Sequence, residues 1–188
     1  RLRSSEVEAL EERARAALLA QAARGEQPLE ALRAAWQHLG KAQRQQPALL
    51  ASYAEQLQRL GADGEAEELL RGALKRQFDA RLVRLYGRRA GADPARQRAG
   101  AETWLKSHAE DAGLLLCLGR LALRNLLGGK ARDYFERSLR LERSAETCGE
   151  LARLLARLGE GERSHQLFQE LLALTGQALP ALPQPGGH

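Results

Sequence analysis

The chain has no methionine, only two cysteines and only 4% aromatic residues among 188. β-Branched residues are also few, which argues against strands, because sheets draw on Val, Ile, Thr and the aromatics. Cys117 and Cys148 stand alone, with no CxxC pair and no Cys/His cluster, so neither a structural zinc site nor a redox dithiol is expected and a reducing compartment fits best. The longest apolar runs, such as Leu114 to Leu118, fall far short of the ~18 residues that span a bilayer. There is no Gly-rich phosphate loop followed by Lys and Ser or Thr, no HExxH and no GxSxG. These gaps exclude the common routes to metal, phosphoryl and acyl-transfer chemistry.

What is abundant is Ala, Leu, Arg, Glu and Gln, a set of strong helix formers. The net charge is +5 with a pI near 9.7, which suits acidic partners. Much of that charge alternates in sign at helical spacing, as in Glu8, Glu11, Glu12, Arg13 and Arg15, and reads as a solvated face. Apolar residues recurring at intervals of three and four predict about ten helical stretches, over 5–24, 28–43, 47–60, 64–77, 80–90, 94–107, 112–127, 130–142, 145–158 and 161–174. Pro28, Pro47 and Pro94 suit first helical turns, Asp93 can cap the turn begun by Pro94, and Gly61, Gly91, Gly128 and Gly159 suit helix ends. After Gly176 three prolines interrupt any period, so 176–188 is expected to be a flexible tail behind a repeat array over 1–175. The chain opens at Arg1, without a methionine, into an amphipathic helix and reads as a piece of something longer.

The helices repeat as pairs. From Asp111, the order Leu115, Leu118, Gly119, Ala122 and then Ala131, Phe135, Ser138 is the tetratricopeptide order of large, Leu, Gly, then Ala, aromatic, small. Thirty-three residues on, Cys148, Leu151, Ala152 and Leu155 precede Ser164, Phe168 and Leu171, and upstream Leu50, Tyr53, Ala54 and Leu57 precede Ala66, Leu70 and Ala73. Between them, Leu82, Leu85, Tyr86, Ala101, Trp104 and Leu105 form a degenerate copy, and the pair from Val7 to Trp36 keeps the hairpin without the signature. Helices this short must stack on neighbours to survive in water. The expected fold is therefore an all-α, tetratricopeptide-like right-handed superhelix of about five helix pairs, with Ala54, Ala66, Gly119, Ala131, Ala152 and Ser164 at close contacts. A closed helical bundle is the alternative that periodicity alone leaves open.

The segments ALLASYAEQLQRLG, AEELLRGALKRQFDARLVRLYG, AETWLKSHAEDAGLLLCLGRLALR and ARDYFERSLRLE, within about residues 30 to 175, resemble the C-terminal part of the HemY family. The most specific piece is LKRQFD followed by RL, Leu74 to Leu82, whose polar order no repeat consensus dictates. HemY proteins are tetratricopeptide proteins linked to protoheme biosynthesis in proteobacteria. The resemblance implies a repeat domain facing the cytoplasm from the bacterial inner membrane, anchored by N-terminal helices outside this chain. It also implies a late heme-pathway role without a defined reaction. The unrelated flavin-dependent oxidase that shares the name would need a nucleotide fold, and no GxGxxG is present.

Candidate site residues come from the repeat register. In such arrays the first helix of each pair lines the concave face. Positions just after Gly119 place Arg120 and Arg124 there, Arg153 and Arg157 follow one repeat on, Arg59 precedes them beside Glu55, and Arg84 and Arg88 extend the row. Arginine forks suit carboxylates and phosphates. The alternative is a solvated arginine face. The paired asparagines of a chaperone-tail carboxylate clamp are missing, since Asn125 is the only Asn. No cofactor and no catalytic residue is expected, because the carboxylates lie on charged helix faces. The partners expected are proteins, including enzymes of the late heme pathway, offering acidic groups to the groove. Heme or a porphyrin, with its propionates on the arginines and its ring on Leu116 and Leu123, is the alternative ligand. Nucleic acid is disfavoured for want of a stacking platform. His108 suits a helix end, Cys117 and Cys148 suit the core rather than a heme-responsive Cys-Pro pair, and Trp36 and Trp104 suit packing.

Overall fold

A computed structural model describes residues 3–177, and among these it contains eleven helices and no strand. They are α1 (Ser4–Ala22), α2 (Pro28–His38), α3 (Lys41–Arg44), α4 (Pro47–Arg59), α5 (Asp63–Arg76), α6 (Ala80–Arg88), α7 (Pro94–His108), α8 (Ala112–Arg124), α9 (Gly128–Leu141), α10 (Ala145–Arg157) and α11 (Gly161–Leu174). Setting aside the single turn α3, they form five hairpins, and the architecture is a tetratricopeptide-like superhelix. Within the expected tail only Gly176 and Gln177 are described; the rest of it lies outside the described residues.

Local chemistry explains the boundaries. Asp79, Asp93, Asp111 and Ser144 accept from free backbone N–H groups in the first turns of α6, α7, α8 and α10. Proline opens α2, α4 and α7, where a missing amide hydrogen costs little. The expected single helix over 28–43 is instead α2 and α3, because Leu39 and Gly40 are extended (ψ 141° and 158°) and the Gly40 N–H donates to Gln43 Oε1 to start a new turn.

Three of the five hairpin turns share one device. Gly61 and Gly159 turn left-handed after α4 and α10 (φ 79° and 81°), and the next residue's N–H, Ala62 or Glu160, returns to a carbonyl five residues back. Gly128 does not end α8 as expected; it begins α9, and the left-handed position after α8 is Leu126, at φ 58°. Leu127 N–H closes the same loop on Ala122 O. A leucine there crowds its own Cβ, and its side chain is 92% exposed, so packing returns nothing. Leu126→Gly is expected to raise stability by about 0.5–1 kcal/mol in a denaturant titration, after the entropy of the added glycine is offset.

Two clusters form a continuous core, and α8 belongs to both. Leu114, Cys117, Leu118 and Leu121 pack with the helices before it, whereas Leu116 and Ala122 pack with those after it. The small residues sit where close approach requires them. Ala54, Ala66, Ala131 and Ala152 are fully buried, Ser164 is 5% exposed and donates to Ala152 O, and a Cβ on Gly119 would fall into the ring of Phe135. A further close contact joins α6 to α8, where a Cβ on Gly87 would lie 2.7 Å from Cys117 Cα. Gly87 stands 33 residues after Ala54 and 32 before Gly119, so the degenerate copy keeps the small position although its second helix drifts.

Candidate partner-binding groove

α4, α6, α8 and α10, the first helices of four successive hairpins, each end on an arginine: Arg59, Arg88, Arg124 and Arg157. A cation at a helix C-terminus meets the negative end of the dipole and free carbonyls. Two of these arginines reach the neighbouring helix instead of their own. Arg59 Nη2 donates to Ala23 O at the end of α1 (3.3 Å), and Arg124 Nη2 donates to Arg88 O at the end of α6 (2.6 Å).

α8 explains why the charges gather here. Its sequence AGLLLCLGRLALR is apolar except for Arg120 and Arg124, and nine of its thirteen residues are buried. With cores on either side, those two arginines occupy the face left open to the groove. Arg120 is only 10% exposed; its Nε donates to Glu150 and its Nη2 to Glu146, both at 2.9 Å, tying α8 to α10. Arg88 lies between Glu55 of α4 (3.6 Å) and the same Glu146 (3.9 Å). A side chain of α6 thus reaches one of α10 across α8, which requires this face to curve inward. Arg84 passes the N-terminus of α8, where Gly113 leaves it room, and donates to Glu142 at 2.8 Å. Arg153 is 69% exposed and pairs with Glu150, while Arg157 is exposed and pairs with no described residue.

The whole expected row therefore lies on the faces and ends of the first helices, but it is not a free cationic stripe. Arg84, Arg88, Arg120 and Arg153 meet Glu142, Glu55, Glu146 and Glu150, whereas Arg59, Arg124 and Arg157 meet no carboxylate among the described residues. Of these partners only Glu55 stood out in the sequence. Glu146 and Glu150, four residues apart on the next first helix, carry the same face spacing as Arg120 and Arg124, and that spacing was the available signal.

Two donors remain unmatched. Arg120 Nη1 and Arg124 Nη1 are both buried without a hydrogen-bond partner among the described residues. Burial lowers the Arg124 pKa, with Cys117 opposing and Arg120 reinforcing that shift. Burial pushes the Cys117 thiol up to about 12 although Arg120 and Arg124 pull it down, which keeps it protonated and inert. Beside this cluster, Leu123, Leu154, Glu150, Arg153 and Arg157 line a recess of about 40 Å³. Leu116, expected in the groove, is instead fully buried in the second core and offers no surface to a ligand.

The remaining candidates pack. Cys117 and Cys148 are fully buried, Trp36 stacks on Tyr53 (ring centroids 4.3 Å apart), Trp104 meets Tyr86 edge-on, and His108 closes α7 stacked on Phe78. No group of three metal-ligating side chains gathers among the described residues, and none of their helices is long and apolar enough to cross a membrane.

No family model matches the chain, and no curated protein does. Solved structures do match in fold. The thermophilic TPR protein TTC0263 of Thermus thermophilus superposes with a TM-score of 0.66 at 18% identity, over 88% of this chain and 92% of that one. MamA 41-end from Desulfovibrio magneticus RS-1 gives 0.53 at 16% identity, over 88% and 95%, and another MamA crystal structure gives 0.51 at 12%, over 92% and 98%. At these identities the likeness establishes the tetratricopeptide-type fold.

Proposed function

We propose that the chain is a non-catalytic scaffold whose groove holds an acid-bearing segment of a protein partner, and that it serves a late step, or the regulation, of protoheme synthesis. The observation behind the groove is the arginine cluster on the one open face of the otherwise apolar α8, with two guanidinium nitrogens unpaired among the described residues. The heme-pathway assignment rests on the LKRQFD…RL segment and its neighbours, which resemble the HemY family. On that reading the domain works at the cytoplasmic face of a bacterial inner membrane, gathering late-pathway enzymes. Direct capture of heme or a porphyrin by the same arginines is the second reading. Leu116, one of the two leucines on which a macrocycle's ring would rest, is fully buried, which favours the protein partner.

The test is affinity capture from detergent-solubilised bacterial membranes, comparing the native chain with the triple variant Arg59→Gln, Arg124→Gln, Arg157→Gln. These arginines meet no carboxylate among the described residues, so their loss leaves the groove's ion pairs intact. The expected result is enrichment of late heme-pathway enzymes by the native chain and its loss in a variant of unchanged helicity. Equal recovery by the variant would place the site elsewhere on the array. Stoichiometric hemin binding that the triple variant loses, with no enzyme captured, would favour the ligand reading.

A further inference from the structure

Arg88 and Arg120 converge on one carboxylate, with Arg124 one helical turn from Arg120, and the manner in which that carboxylate is held is incomplete. Glu146 takes Nη2 of Arg120 at 2.9 Å, stands 3.9 Å from Arg88, and is 38% exposed. Glu150 takes Nε of the same Arg120 but is only 15% exposed and also pairs with Arg153, so it is part of the wall. Arg120 Nη1 is left over, as is Arg124 Nη1 one helical turn along. A guanidinium holds a carboxylate best through two parallel N–H groups. Glu146, tethered in the first turn of α10, uses one. Leaving a buried charged donor unpaired is costly, and this cluster leaves two.

We propose that Glu146 is a resident stand-in for a partner's carboxylate, which displaces it from Arg88 and Arg120 and gains Arg124 as a third donor. This rests on the groove reading above and names the group the groove takes. The incoming carboxylate, free of the α10 backbone, takes Nη1 and Nη2 of Arg120 end-on, with the Arg124 guanidinium one helical turn away as the further donor. Nε stays on Glu150. Glu146 turns into solvent, on the side where it is already exposed. The step is an exchange of ion pairs, with no proton or bond transferred. The groove is therefore partly self-occupied, and the internal glutamate sets how strong an external acid must be to enter.

A consequence follows that a merely solvated arginine face does not share: removing Glu146 should strengthen acid binding. Fluorescence anisotropy of a fluorescein-labelled hexaglutamate peptide at low salt measures this, with a hexalysine peptide as control and a hemin titration as a second arm. Glu146→Gln is expected to tighten hexaglutamate binding by about threefold to tenfold. Glu142→Gln removes the same charge from the end of α9, where it meets Arg84 and not this cluster, and should change affinity less than twofold. Arg124→Gln should weaken binding in both the native and the Glu146→Gln background. Equal gains from Glu142→Gln and Glu146→Gln would reduce the effect to bulk charge and overturn the seat, as would no measurable binding of either acid probe by the native chain and by Glu146→Gln. A gain confined to hemin would keep the seat and identify the carboxylate as a propionate. If membrane capture depends on the arginines but Glu146→Gln changes nothing, the seat fails and the scaffold reading stands. If Glu146→Gln tightens hexaglutamate while no heme-pathway enzyme is captured, the seat stands and the pathway assignment fails.

Discussion

Gly87→Ala is expected to destabilise the array by about 1–3 kcal/mol, and Gly87→Val by more, measured as a fall in denaturant midpoint at constant m-value. In an open helix the same exchange would help, since alanine gains up to ~1 kcal/mol of propensity over glycine. Here the new methyl would stand 2.7 Å from Cys117 Cα, 2.9 Å from its Sγ and 3.0 Å from its Cβ, so backbone opposes it and α8 must move as a whole. α8 carries both cores, so the displacement spreads to either side. Gly72 in α5 supplies the internal control. It is exposed with nothing within 4 Å of its added Cβ, and Gly72→Ala should stabilise by about 0.5–1 kcal/mol. Two glycine-to-alanine exchanges of opposite sign would separate close helix contact from helix propensity. Equal signs would mean that α6 and α8 do not approach as described.

Replacing Arg120 should cost more. Arg120→Leu leaves Glu150, 15% exposed, without its main partner and Glu146 without its nearest one. Breaking such a pair by removing one member is expected to cost about 3 kcal/mol, toward the lower end for a buried pair because Glu146 can turn into water. The double variant Arg120→Leu, Glu150→Leu should be less destabilised than the sum of the two singles, because the uncompensated carboxylate is gone as well. Additive losses would show that the pair contributes nothing as a pair. The result also bears on function, because a binding defect in any Arg120 variant mixes lost recognition with a loosened joint between α8 and α10. For that reason Arg124 and Glu146, not Arg120, report on the groove.

The helical periods, the proline and aspartate starts, and the spacing of small residues made most of the fold legible. These signals are local or repeat at a fixed interval, and each has its own physical cause. The missed features left no apolar period to read. Splitting 28–43 into α2 and α3 turns on an extended Leu39–Gly40, and no apolar period reports a two-residue break. Gly128 resembled a helix terminator, yet the left-handed turn fell on Leu126, because the loop is closed by Leu127 returning to Ala122 rather than by residue preference. Gly87 lay in a copy whose second helix drifts, which hid a small position that the spacing to Ala54 and Gly119 preserves.

For the candidate groove, the sequence by itself placed the arginines on the first helices, ending or following the repeat positions of α4, α6, α8 and α10, since helical and repeat periods assign residues to faces. Tertiary structure decided what those arginines do. Arg120 is a tie to α10, Arg59 and Arg124 satisfy carbonyls at the ends of neighbouring helices, Arg88 shares Glu146 across α8, and Leu116 belongs to the core. The reason is that an ion pair between hairpins depends on the inward curvature of the face. That curvature is set by the packing of every hairpin on the next, and no spacing within one helix encodes it.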